Sequence, residues 1–227
     1  MSQSDGVAGW LERANALSQP RTGYRFGPEN LLLPDLLLPD LLLDAPHPAP
    51  ATLIDLGAGC GVLGLLGAMT TGADCWLVER NTEMVEHLQR NLAALSTPTH
   101  IVSDDLRSCD LPTADLIVAN PPFFRVGEGM RSKHETVRDA THSHHGDLED
   151  FVRVAASHLA AGGHLWLLYP TDRIGQIFDA AAAQDLHITA LYNVHARHTG
   201  RSYRVWCRLE WQPAPLRLVC MSVLTDR

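Results

Sequence analysis

From Ala51 onward, apolar runs of strand length alternate with longer amphipathic segments, and few folds tolerate that rhythm. Strand-like stretches fall at 52–56, 74–79, 99–103, 115–119, 164–169, 188–194 and 203–211, with helical stretches near 62–70, 82–95, 147–161 and 172–184. Strands separated by helices cannot pair as hairpins, so the pattern predicts a mostly parallel sheet with helices on both faces, an α/β fold. The last two strands are joined only by a polar loop, which predicts a seven-stranded sheet ending in an antiparallel edge hairpin. One helix start is explicit. In "NTEMVEHLQRNLAAL", Asn81 is a favoured N-cap ahead of an apolar stripe at Met84, Val85, Leu88, Leu92 and Leu95.

The first 50 residues follow another pattern, and the expected division is an N-terminal cover segment, 1–50, and a domain, 51–227. Val7, Trp10, Leu11, Ala14 and Leu17 are spaced as one side of a helix. "LLLPDLLLPDLLL", Leu31 to Leu43, repeats every five residues. It is too interrupted for a membrane helix, and Pro34 and Pro39 break a helix interior unless each begins a turn. An apolar cover packed on a sheet edge is expected, followed by the proline-rich linker "DAPHPAP".

Bulk properties exclude several classes. No apolar run approaches the ~20 residues that span a bilayer, and "MSQSDGVAGW" lacks the basic and apolar regions of a secretory signal. Five cysteines without a Cys-x-x-Cys pair suggest free thiols in a reducing, cytoplasmic setting rather than a disulfide framework or zinc site. A net charge of −8 argues mildly against nucleic acid as partner. The average conceals Arg197, Arg201, Arg204 and Arg208, which occur in a stretch without acids. The oligomeric state is not legible.

"LIDLGAGCGVLG", Leu53 to Gly64, places a glycine-rich turn between a strand and a helix, where backbone amides can approach a ligand. Gly59, Gly61 and Gly64 satisfy the dinucleotide pattern G-x-G-x-x-G, with Glu79 near the ribose-binding position. Asp55 opposes that reading, because a carboxylate at the strand end repels a pyrophosphate. It suits S-adenosylmethionine (SAM), which carries an ammonium and a sulfonium but no phosphate. Glu79 can accept both ribose hydroxyls, and Asp105 an adenine amino group. The expected cofactor residues are Asp55, Gly57, Ala58, Gly59, Gly61, Glu79 and Asp105, joined by Asn120 and Phe26.

After the fourth strand comes Asn120-Pro121-Pro122-Phe123. Here the sequence resembles the class I SAM-dependent amino-methyltransferases bearing an N-P-P-Y/F motif, which act on adenine N6, cytosine N4 or the glutamine amide. The resemblance implies a Rossmann-like class I methyltransferase fold. An exocyclic amino nitrogen is a poor nucleophile because its lone pair is delocalised. Accepting hydrogen bonds from both of its N–H groups, through the Asn120 side chain and the Pro121 carbonyl, localises that pair toward the methyl. Pro121 and Pro122 stiffen the turn, and Phe123 offers a stacking face.

"TGYRFGPENLLL", Thr22 to Leu33, resembles the lead-in of the bacterial valine-tRNA adenine-N6 methyltransferases through Tyr24, Phe26, Gly27, Glu29, Leu32 and Leu33. Pro28 and Glu29 replace that family's threonine and aspartate. The similarity extends through Leu148–Pro170 to "RSYRVWCRLE". It implies an RNA substrate, tRNA, with adenine N6 as acceptor. The alternative is a protein glutamine or another planar amide, as in the release-factor methyltransferases. Those carry a separate helical domain, for which about 50 residues ahead of the glycine loop leave little room. A SAM-binding partner subunit without activity is a further reading, opposed by the intact Asn120 and Phe123.

The polar stretch 124–147 follows the motif, so Arg125 joins Phe123, Arg201 and Arg204 as expected substrate contacts. His142, His144 and His145 lack cysteine neighbours and i, i+4 spacing, and no metal is expected.

Overall fold

The computed structural model describes residues 16–20, 25–42, 49–93, 98–122, 147–196 and 199–223. Its centre is a sheet of eight strands: β1 Thr52–Leu56, β2 Asp74–Val78, β3 Thr99–Val102, β4 Ala114–Ala119, β5 Leu159–Pro170, β6 His187–Ala196, β7 Ser202–Glu210 and β8 Arg217–Val223. They lie in the order β3-β2-β1-β4-β5-β7-β6-β8. The β3–β2, β2–β1, β1–β4 and β4–β5 pairings are parallel, and β7 runs antiparallel to both β5 and β6. Among the described residues, five α-helices flank the sheet: α1 Leu33–Leu42, α2 Val62–Thr71, α3 Thr82–Leu92, α4 Leu148–His158 and α5 Ile174–Ala182.

Successive residues of a strand face opposite ways, and the core divides accordingly. Leu53, Leu77, Leu116, Val118, Trp166 and Trp206 point to one side, against α1, α2 and Leu88 of α3. Ile54, Ile117, Leu165, Leu167, Val205 and Leu209 point to the other, against Phe151 and Val152 of α4 and Ile177 of α5. Near-continuous apolar strands are what a sheet covered on both faces requires.

Two expectations need correction. The sheet has an eighth strand, β8, which pairs parallel with β6. The β6–β7 pair is therefore internal to the sheet rather than its edge. The leucine repeat does not lie on an edge either. A 3-10 turn at Pro28–Leu32 leads into α1, which continues through both Pro34 and Pro39. Pro34 falls in the first turn, where a missing N–H costs little. Leu31, Leu32, Leu33, Leu36 and Leu37 are buried in the first core cluster together with Leu63 and Leu66 of α2. The described part of the repeat thus packs on one face of the sheet, against α2. Of the amphipathic lead-in, residues 1–15 lie outside the described residues; Leu17 packs against the same cluster.

Close helix–strand packing beneath the glycine loop depends on Gly64. A Cβ there would sit 2.2 Å from Leu77 Cδ2 and 3.1 Å from the Asp55 carboxylate. Gly64→Ala is expected to lower stability by about 1–3 kcal/mol, because α2 must lift from β2. Urea unfolding of the two proteins measures this, and an unchanged midpoint would show that the helix has room to shift.

Candidate active site

The strand order reverses between β1 and β4, and in open α/β sheets the crevice at that point, beyond the carboxyl ends of the strands, is where ligands sit. The glycine loop leaves β1 there, and Asn120 follows β4. Glu79, after β2, and Asp105, after β3, stand at the neighbouring strand ends.

Gly57, Gly59 and Gly61 adopt positive φ of 70°, 58° and 91°. At Gly61 the conformation and the space both demand glycine, since a Cβ would lie 2.4 Å from Leu88. The loop is pinned from several directions. The Gly59 amide donates to Glu79 Oε2 at 2.8 Å, and the Asn81 amide to Glu79 Oε1 at 2.7 Å. The Ala58 amide donates to the Val78 carbonyl, 2.8 Å. The Cys60 carbonyl accepts from Asn91 Nδ2 at 2.8 Å, while the Asn91 carboxamide also exchanges hydrogen bonds with the Ser18 backbone.

Asp55 lies beneath the loop, 1% exposed, and its Oδ2 accepts from the Gly64 amide at 2.7 Å. Burial pushes its carboxyl up to about 7, against the pull of the Gly64 amide and helped by the charge on Glu79. A carboxyl raised in this way holds its proton more tightly in the folded chain, so this group costs stability as pH rises from the ordinary carboxylate range toward about 7. A cation bound over the loop favours the carboxylate and must expel that proton. SAM affinity is therefore expected to strengthen by up to about tenfold per pH unit between about pH 5.5 and 7, and to flatten in Asp55→Asn. Calorimetric titration across that range checks it; a flat wild-type profile would show that no cation couples to Asp55.

Asp105 is engaged by arginines. Arg107 grips it with Nε at 2.9 Å and Nη2 at 2.6 Å, and Arg80 reaches it at 3.2 Å. The Arg107 side-chain hydrogen bonds hold its carboxyl well below the usual range, against the opposing effect of burial. Arg107 also lies 3.8 Å from Asp150 of α4. A ligand amino group would approach Asp105 beside two guanidinium groups.

The N-terminal turn closes the other side of the crevice. Asn120 Nδ2 donates to Asn30 Oδ1 at 3.3 Å. Glu29 is 7% exposed and accepts from the Tyr203 hydroxyl at 3.2 Å. Burial, with the Glu29 carboxylate beside it, pushes the Tyr203 phenol up. Arg204 lies 3.8 Å from Glu29 and donates to the Tyr203 carbonyl at 3.0 Å, so it faces inward. Arg201, at the β6–β7 turn, is exposed. Phe26 is half-buried against the first core cluster. Pro121 is buried and Pro122 exposed, whereas Phe123, Arg125 and the three histidines at 142, 144 and 145 lie outside the described residues. No cluster of three metal-ligating side chains occurs among the described residues, and no described helix is long and apolar enough to cross a membrane.

Sequence reasoning passed over Asn30, Asn91, Arg80, Arg107 and Tyr203. Arg107 had a local signal, two residues past Asp105. The pairs Asn30–Asn120 and Glu29–Tyr203 are 90 and 174 positions apart and had none.

A glycine cradle flanked by the acids Asp55 and Glu79, a further acid at the third strand end and a carboxamide after the fourth strand define a methyltransferase of the class I type. The chain belongs to the methyltransferase small domain family, whose model matches residues 35–173. It is 29% identical over 171 residues to the tRNA1(Val) (adenine(37)-N6)-methyltransferase of Aeromonas hydrophila, covering 71% of each chain. It is 25% identical over 187 residues to the enzyme of that name from Shewanella baltica, covering 79% of this chain and 77% of the relative. The resemblance drawn from the glycine loop and N-P-P-F therefore holds. Solved structures agree on the fold. A putative RNA methyltransferase from Pyrococcus horikoshii superposes with TM-score 0.63 at 17% identity, covering 90% of this chain and 97% of that one. A Thermus thermophilus 16S rRNA N2 G1207 methyltransferase, solved with AdoMet and guanosine, superposes with TM-score 0.57 at 23% identity, covering 84% and 45%.

Proposed function

We propose that this chain transfers a methyl group from SAM to an exocyclic amino nitrogen, adenine N6 in tRNA. The observation that carries the reading is Asn120, seated at the carboxyl end of β4 beside the glycine loop, with its carboxamide in hydrogen-bond contact with Asn30. The relatives named as tRNA1(Val) adenine-N6 methyltransferases supply the acceptor class. A cytoplasmic enzyme made of the cover segment 1–50 and the domain 51–227 fits that role.

The residues present fit the cofactor. A Cβ at Gly59 would meet nothing within 4 Å, so the loop has open space on that side. The acids around it, Asp55 beneath and Glu79 beside, suit a cation and a ribose rather than a pyrophosphate. Held by the glycine loop with Asp55 and Glu79, SAM would supply the methyl group and leave as the neutral thioether. Asn120 Oδ1 and the Pro121 carbonyl accept the two N–H groups of the substrate, which concentrates the nitrogen lone pair along the line of attack. The surplus proton then leaves the alkylated nitrogen for water, and no strong base is needed. Phe123 stacks on the base, and Arg125 and Arg201 meet phosphates.

The test is transfer of labelled methyl from SAM into separated tRNA, ribosomal RNA and protein fractions. N6-methyladenosine released from labelled tRNA is the expected result. Label in protein with RNA blank would move the acceptor to an amide.

A further inference from the structure

We propose that Asn30 is a positioning residue for methyl transfer: it fixes the orientation of the Asn120 carboxamide. The inference rests on the proposed role of Asn120 as acceptor of the amino group's N–H.

A carboxamide has two faces of opposite hydrogen-bonding sense, and a flipped Asn120 would present a donor to a donor. Asn30 removes that ambiguity. It is 1% exposed. Its Nδ2 donates to the Gly27 carbonyl at 3.1 Å, and a backbone carbonyl can only accept. Asn30 Oδ1 must therefore face Asn120, and Asn120 must meet it with Nδ2, at 3.3 Å. Asn120 Oδ1 is thereby turned to the side away from Asn30.

The anchor is itself held. The Glu29 carbonyl accepts from Trp206 Nε1 at 2.9 Å, and Trp206 is fully buried in β7. The Glu29 carboxylate folds back so closely that a Cβ on Gly27 would lie 2.3 Å from it. Leu31, Leu32 and Leu33 plunge into the core directly after Asn30. A buried, packed side chain on a bolted turn loses little entropy when it orients another group, and misplacement of such a group by about 1 Å can cost 10²-fold in rate.

Two variants test this, each assayed in the full chain with SAM and total tRNA. Asn30→Ala is expected to lower kcat by about 10- to 100-fold while leaving the Kd for SAM and the KM for tRNA within about twofold. A kcat equal to wild type would overturn the proposal. Loss of SAM binding together with kcat would mark a folding defect, and Asn30→Asp then decides. A protonated aspartic acid reproduces both contacts, donating to the Gly27 carbonyl and accepting from Asn120, whereas the carboxylate opposes that carbonyl. Its kcat relative to wild type should climb as pH is lowered from about 9 to 6, since burial favours the neutral acid. A ratio that does not change with pH would overturn the proposal. Wild-type protein that labels no amino nitrogen would remove the function and this inference together; a labelling wild type beside a wild-type-like Asn30→Ala removes the inference alone.

Discussion

Replacing Asn120 with alanine is expected to cut turnover by at least about 10²-fold, up to 10³-fold, with the SAM Kd changed by no more than about threefold. The reason lies in what Asn120 touches. It follows β4, it is only partly exposed, and it donates a hydrogen bond to Asn30 in the N-terminal turn. The alanine variant therefore keeps the hydrogen bonds by which Glu79 and Asn91 pin that loop. What it loses, in the proposed role of Asn120, is an acceptor that gains strength only as positive charge develops on the nitrogen. An interaction made in the transition state alone affects kcat and leaves ground-state binding in place. Single-turnover transfer of labelled methyl, read beside calorimetric SAM titration, separates the two. Loss of SAM affinity with intact turnover at saturation would reassign Asn120 to the cofactor.

Replacing Glu79 with alanine is expected to do the reverse, weakening SAM by about 10- to 100-fold with kcat at saturation close to wild type. Both carboxylate oxygens are occupied by backbone amides, Gly59 at 2.8 Å and Asn81 at 2.7 Å, so the side chain ties the loop after β1 to the start of α3. Hydrogen bonds to a charged acceptor contribute about 1.5–3 kcal/mol each, and their loss frees Gly59 from the left-handed conformation that shapes the cradle. The helix should survive, because Asn81 Oδ1 still caps it by accepting from the Glu83 and Met84 amides. Glu79→Gln is expected to fall between the two, since its amide nitrogen opposes one backbone N–H while its oxygen still accepts from the other. Equal SAM affinity in all three proteins would end the role given to Glu79.

What the sequence determined by itself is local. Alternating facing is written into "TLIDL", where Leu53 and Ile54 belong to opposite core clusters, and into "DLIVAN", where Ile117 and Val118 do the same. The Asn81 cap was legible because its partners are two and three residues away. The glycine positions were legible because left-handed backbone favours glycine whatever surrounds it. The order of acids and Asn120 along strand ends follows from a parallel sheet, in which every carboxyl end faces the same crevice.

Tertiary structure alone decided the rest, because it depends on contacts between residues far apart in the chain. "LRLVCMSV" has strand-like composition, but only the exposed edge of β6 made it a parallel eighth strand. The leucine repeat was expected as a cover on a sheet edge; the helix Leu33–Leu42, with Leu33 and Leu36 buried beside α2, puts it on a face of the sheet instead. The bolt from Trp206 to the Glu29 carbonyl spans 177 positions, and the Asn30–Asn120 contact spans 90. No periodicity records such pairings, since each partner satisfies its local rules without the other. Folding brings them together because a buried N–H or carboxamide must find an acceptor somewhere in the core.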